Sequence, residues 1–222
     1  MHSIKCKSNR WFAVIVAMVA LSSSVFAAEA IDPFAEPLPL YKEGAQYVTS
    51  FPDETPKKPT VVEFFSFGCP HCYSAEPQVK RWMAKKPDNV NFVKVPVSFG
   101  RPQWTLFSKA YYIAKALKVE AKFINPFFEL IHGQKRPPNN MADVKTFFGS
   151  IGITADDFDA AVKKHSFFIE SSVKKADQLA RKYKVPGVPH FLVNYKYTLG
   201  KEIRSEDDFQ AILSGLALKD FR

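Results

Sequence analysis

Apolar positions along this chain fall into short runs and helical stripes, separated by breaks rich in Pro, Gly and Asn, and their order predicts the architecture. Residues 46–51 read as a short edge strand, ended by Pro52-Asp53 and Pro56. Residues 60–65 are β-branched and aromatic and almost wholly apolar, as a strand buried on both faces is. A helix is expected to open directly after it, at Cys69. Residues 91–98 form the next strand, with Pro96 placing its later half at an edge or outside the ladder.

The periodicity then changes. Ala110, Ile113, Ala114 and Leu117 recur at helical spacing. Asn125-Pro126 opens or interrupts a second helix, and the 137–140 segment (Pro-Pro-Asn-Asn) breaks the chain. A third helix covers residues 142–148, and Thr154 to Asp157 has the form of a capping box that starts a fourth. A longer helix carries Ala176, Leu179, Ala180 and Tyr183 on one face and stops before Pro186-Gly187. Residues 191–194 and 197–199 read as a hairpin, and residues 207–216 as a closing amphipathic helix. Strands, a helical block, then strands and a helix again predict one α/β sheet interrupted by an inserted all-helical subdomain. An insertion of that kind brings its two ends close together. The expected boundaries are 46–100 and 173–222 for the two parts of the sheet domain and 101–172 for the insertion.

Residues 1–27 have a secretory layout: Lys5, Lys7 and Arg10, then the apolar stretch from Trp11 to Leu21, then small residues up to Ala27. That stretch is short of the roughly 20 residues a spanning helix needs, so cleavage and export are expected, with no transmembrane segment afterwards. Residues 28–45, with Pro33, Pro37 and Pro39, read as an extended leader. Removal of residues 1–27 takes three of the 31 basic residues and no acidic one, so the net charge falls from +9 to +6. The basic residues are scattered as pairs among carboxylates, which argues against a nucleic-acid face. A basic surface does suit work beside an anionic membrane.

Removal also takes Cys6, and leaves Cys69 and Cys72 as the only cysteines. An exported chain with one Cys-x-x-Cys at the exit of a buried strand points to thiol–disulfide chemistry. A helix N-terminus supplies unsatisfied N–H groups and partial positive charge, which favour a thiolate. Pro70 suits the first turn, where its missing N–H costs nothing. Cys69 then stands at the N-cap, exposed, as nucleophile. Cys72, one turn on, is the deeper resolving thiol, and His71 offers a donor or positive charge to the Cys69 sulfur. Each unit by which a thiol pKa lies below ambient pH stabilises the reduced form by about 1.4 kcal/mol, so such a site makes an oxidant. A structural disulfide is the bland alternative, but a ring this small removes little chain entropy. A metal site would need ligands beyond the two cysteines, with only His71 and His190 at hand, so no metal is expected.

Val188-Pro189 sits between the Pro186-Gly187 turn and the following strand, where a cis bond would free the backbone of Val188 to hold a substrate segment. Glu63 is the lone charge in its apolar run, and Lys94, central in the next strand, is its candidate partner. A buried Glu63 carboxyl has a raised pKa and can relay the proton of Cys72; equally, it can reach solvent or pair structurally. Glu76 and Lys80 read as an ordinary i, i+4 surface pair. Pro77 is expected to kink their helix.

The segment from Glu63 to Tyr73 (EFFSFGCPHCY), then Gly187-Val188-Pro189 and the residues from Phe191 to Asn194, resemble the DsbA family of periplasmic thiol:disulfide oxidases over about residues 45–200. Pro-His between the cysteines is characteristic of the oxidases, whereas thioredoxins usually carry Gly-Pro. The resemblance implies a thioredoxin fold with an inserted helical subdomain, a monomer, and a periplasmic location. It implies that Val188-Pro189 is cis and faces the disulfide, that Glu63 and Lys94 form a buried pair near Cys72, and that Glu76 lies close by. The implied partners are reduced, newly exported polypeptides and a membrane quinone reductase of the DsbB type. Quinone belongs to that partner; this chain needs no cofactor beyond its Cys69–Cys72 disulfide. Tyr195, where many relatives have Gly, predicts a looser or differently shaped hairpin, and His190 places a second imidazole near the site, with consequences for substrate preference. Two other classes compete: a disulfide isomerase or reductase, for which the leader is too short to supply a dimerisation domain, and a non-catalytic thioredoxin-fold binding module.

Overall fold

The structure, a computed structural model, describes residues 41–222 apart from Lys201, Arg204 and Arg222. The predicted signal peptide and residues 28–40 of the leader lie outside the described residues. Five strands form one sheet in the order β1-β5-β4-β2-β3. The interior strand β2 (Thr60–Phe65) is buried along its whole length, as its almost wholly apolar run requires. It pairs in parallel with β3 (Asn91–Pro96), reached through helix α1 (Pro70–Lys85), and antiparallel with β4 (His190–Val193). β5 (Tyr197–Leu199) joins β4 to β1 (Tyr47–Thr49). β3 is an edge strand that ends at Pro96, so the proline interrupts no interior ladder.

Between β3 and the return to the sheet lie α2 (Pro102–Ala116), α3 (Glu120–Phe128), a π-helical turn (Glu129–Gly133), α4 (Met141–Ser150) and α5 (Ala155–Lys164). Helix starts follow their caps. Asn140 accepts from the Asp143 amide at 2.9 Å and Thr154 from the Asp157 amide at 3.1 Å. Helix α6 (Ser166–Lys182) runs without a break from one layer to the other: Ile169 and Val173 pack in the helical core, while Ala176 and Ala180 pack on the sheet. A boundary at 172/173 therefore falls inside a continuous helix. α7 (Glu206–Lys219), capped by Ser205, covers the opposite face of the sheet.

The β4–β5 turn is not loosened by Tyr195. Asn194 and Tyr195 both take positive φ (55° and 58°) and Lys196 N–H donates to Val193 O at 2.9 Å, the signature of a tight type I′ connection. The Tyr195 ring lies 5.6 Å from that of Tyr183, a contact a glycine lacks. Asn194 itself is a fully buried keystone. Its Oδ1 accepts from Thr60 N–H at 2.9 Å, and its Nδ2 donates to the Leu216 and Ala217 carbonyls at 3.2 and 3.0 Å, tying β2 to the end of α7.

Candidate active site

The site is assembled where β2 hands over to α1. Phe67 leaves the sheet and plugs into the aromatic core of the inserted helices, with ring centroids 4.6 Å from Phe128, 5.0 Å from Phe127 and 5.5 Å from Phe123. Gly68 follows because nothing larger fits: a Cβ there would collide with the Trp104 indole. Cys69 takes the N-cap with extended backbone (φ −97°, ψ 116°), Pro70 opens the helix, and the amides of Cys72 and Tyr73 donate to the Cys69 carbonyl at 3.1 and 3.2 Å. Both cysteines are free thiols, so this is the dithiol form.

The expected exposure of Cys69 is corrected. Only 6% of the residue is accessible, because the loop before β4 covers it and its Sγ donates to the Val188 carbonyl at 3.2 Å. Val188-Pro189 is cis, as the resemblance implied, and lies against the nucleophile. Cys72 is completely buried, and burial is the main cause that drives its thiol pKa far up, with the neighbouring Cys69 and, less, Glu63 adding to the effect. His71 is exposed on the first turn, and among the described residues no hydrogen bond links it to Cys69. His190 opens β4 with its ring 6.1 Å from that of Phe64. Its Nε2 is buried without a hydrogen-bond partner among the described residues, and burial lowers its pKa. A groove of about 450 Å³ beside the cis loop is lined by Gln78, Pro189, His190, Phe191, Glu206 and Phe209. A larger hollow, about 1170 Å³, runs along α1 past Tyr73, Pro77 and Leu130, and neither cysteine lines it.

Behind the dithiol lies a three-membered charge cluster. Lys94 Nζ donates to Glu63 Oε2 at 2.7 Å and to Glu76 Oε2 at 2.6 Å, with all three side chains buried. The Glu76–Lys80 surface pair is thus overturned: Glu76 turns inward because a lysine from β3 waits there, while Lys80 stays exposed. One ammonium serves two carboxylates. Burial pushes the Glu63 carboxyl above its ordinary value, Lys94 opposes that, and Glu76 adds to it. Burial alone would lower Lys94, but the two carboxylates outweigh it and hold its pKa above that of an ordinary lysine. Among the described residues Glu63 Oε1 has no hydrogen-bond partner.

Sequence reasoning missed Trp104 and His132. Gly68 was the signal for the first, since a glycine directly before a reactive residue marks close approach of another group. His132 carried none: it reaches the junction from the π-helical turn, where its Nε2 lies 2.7 Å from the Phe67 carbonyl and its ring stacks on Tyr73.

A buried Cys-x-x-Cys at a helix N-terminus, on a sheet of this order and faced by a cis-proline loop, defines a thioredoxin-fold thiol:disulfide oxidoreductase. The profile of the DSBA-like thioredoxin domain matches residues 60–214. The chain is 35% identical over 187 residues to the thiol:disulfide interchange protein DsbA of Pseudomonas syringae pv. tomato, covering 83% of this chain and 84% of that one. With the Haemophilus influenzae protein of the same name it is 36% identical over 195 residues, 86% of this chain and 91% of that one. The crystal structure of a Pseudomonas aeruginosa DsbA variant superposes with a TM-score of 0.72 at 31% identity, covering 82% of this chain and 98% of the other. The chain belongs to the DsbA family, and its reaction is thiol:disulfide interchange.

Proposed function

We propose that the chain is a periplasmic dithiol oxidase that gives its Cys69–Cys72 disulfide to reduced exported polypeptides. The observation that carries this reading is the asymmetry of the two sulfurs. Cys69 sits at the helix N-terminus against the cis loop, whereas Cys72 is wholly buried with its thiol pKa driven up. A client thiolate attacks Cys69 Sγ, the Cys69–Cys72 bond breaks, and Cys72 leaves as a thiolate that burial makes strongly basic. In this reading Glu63, held toward its neutral form by burial, supplies that proton from the cluster behind the dithiol. A second client thiolate then attacks the client sulfur of the mixed disulfide and releases Cys69. The client loses two electrons and two protons and gains one disulfide; the chain ends as the dithiol seen here.

Client backbone lies along the loop at Val188, Pro189 and His190, where β4 has not yet met β5. A cysteine-to-serine variant of Proteus mirabilis DsbA, similar in fold (TM-score 0.68, 28% identity), carries the peptide PWATCDS bound non-covalently. Among the described residues no helix is long and apolar enough to cross a membrane. Reoxidation falls to a membrane quinone reductase of the DsbB type, and the chain works as a monomer. The test is oxidation of a reduced, multi-cysteine secreted protein by residues 28–222. Cys72→Ser, first loaded as the Cys69–glutathione mixed disulfide, should exchange with a client cysteine to give a Cys69–client mixed disulfide and free glutathione, and Cys69→Ser treated in the same way should form none. Trapping through Cys72 in the Cys69→Ser protein would overturn the assignment of roles.

A further inference from the structure

The inserted helices do more than cover the site. The π-helical turn closes with Gln134 N–H donating to Glu129 O at 2.8 Å, five residues back, and this wider turn carries His132 across to the β2–α1 junction. The Phe67 carbonyl has no proton, so His132 Nε2–H is the donor in their 2.7 Å bond. The imidazole is itself held: it stacks on Tyr73 with centroids 5.1 Å apart and planes 18° apart, and the Tyr73 hydroxyl donates to Glu129 Oε2 at 2.7 Å. Glu129 can fold back over its own turn because Gly133 has no Cβ; one there would collide with the carboxylate. Turn, imidazole and tyrosine make a clasp that ends on the residue two before Cys69.

We propose that His132 is a positioning residue through which the helical insertion sets the redox equilibrium of the dithiol, favouring the reduced form. In the dithiol form three hydrogen bonds tie down the junction that turns the chain into α1. Cys69 N–H donates to Ser66 O at 3.1 Å, Gly68 N–H to Ser66 Oγ at 3.2 Å, and Phe67 O accepts from His132. This arrangement places Cys69 Sγ on the Val188 carbonyl, a hydrogen bond that a disulfide sulfur, having no proton, cannot make. Closing the disulfide redirects Sγ to Cys72 and releases that anchor. A bond that holds the junction in the dithiol geometry therefore stabilises that state over the disulfide.

This inference rests on Cys69–Cys72 being the exchanging pair. The relevant equilibrium is protein disulfide plus two glutathione thiols giving protein dithiol plus glutathione disulfide, with two electrons and two protons passing to the protein. Two variants separate the bond from the ring: His132→Phe keeps the stack on Tyr73 and loses the donor, and His132→Gln keeps a donor and loses the ring. Loss of one hydrogen bond should lower the equilibrium constant about fivefold in His132→Phe, while His132→Gln stays within about twofold of wild type. Denaturant unfolding of both redox forms should show the Phe variant losing more stability as dithiol than as disulfide. A residue that merely supports the fold would weaken both forms equally and leave the constant unmoved, and that result overturns the proposal. Equal shifts in both variants, or a shift toward the dithiol, overturn it as well. If His132→Phe does not fold, Tyr73→Phe unties the clasp from Glu129 and should move the constant in the same direction by about twofold; no movement counts against the proposal. A wild-type protein that fails to exchange with glutathione removes the underlying reading, whereas a wild type that exchanges beside an unmoved His132→Phe removes this proposal alone.

Discussion

Lys94 is the single positive charge between two buried carboxylates, and replacing it with methionine exposes what the cluster costs. Lys94→Met keeps much of the side-chain volume and leaves Glu63 and Glu76 facing each other without a counter-ion. At pH 7 a buried carboxyl deprived of its partner must be protonated, and from a reference pKa near 4.3 that costs about 1.4 kcal/mol per unit, or about 4 kcal/mol. The figure agrees with the ~3–5 kcal/mol typical of breaking a buried pair from one side. The sign with pH follows. The variant's folded state binds one more proton than that of wild type, because a carboxyl pKa is raised above its unfolded value. The variant is therefore least handicapped below the unfolded pKa and loses ground as pH rises. Urea unfolding of the reduced proteins at pH 5, 6 and 7 should show a penalty of about 1 kcal/mol at pH 5, growing by about 1.4 kcal/mol per pH unit. A penalty that is flat with pH, or below about 1 kcal/mol at pH 7, would refute the view that Lys94 carries the charge balance of this cluster.

Asn194→Ala should lose about 3–5 kcal/mol in denaturant unfolding, since it strips the Thr60 amide and two α7 carbonyls of a buried partner at once; a loss under about 1 kcal/mol would show that the contacts are replaceable. Gly68→Ala should displace the Trp104 indole, cost about 1–3 kcal/mol and change tryptophan fluorescence, whereas an unchanged spectrum with full stability would contradict the close approach. His190 is held neutral by burial with its folded pKa below the unfolded one, so its contribution is complete above about pH 6.5 and is lost as pH falls through the lowered value. His190→Phe should therefore flatten the stability profile between about pH 6.5 and 5, and an unchanged slope would place the titration elsewhere.

Much of this was readable from local sequence. The apolar run of β2, the Cys-x-x-Cys at its exit, Pro70 in the first turn and the capping box at Thr154 each state their own conformation, because the physics involved spans four residues or fewer. Glu63 showed as a charge where none should be, and Lys94 stood at the matching place in the neighbouring strand. The parts that misled depend on long-range partners. Glu76 and Lys80 have the spacing of a surface pair, and only a lysine 18 residues away decides that Glu76 faces inward. Cys69 loses its exposure to a loop 119 residues on. Tyr195 tolerates a backbone conformation that favours glycine while its ring packs against Tyr183. Asn194 and His132 act through backbone carbonyls, which no side-chain pattern in a sequence marks.

The central claim, that the Cys69–Cys72 disulfide is an oxidant, is tested most directly by equilibrating residues 28–222 with glutathione redox buffers and measuring the Cys69–Cys72 potential. A value well above the roughly −270 mV of thioredoxin's dithiol is expected. A value at or below it would contradict the oxidase reading and place the protein among reductases or with an inert structural disulfide.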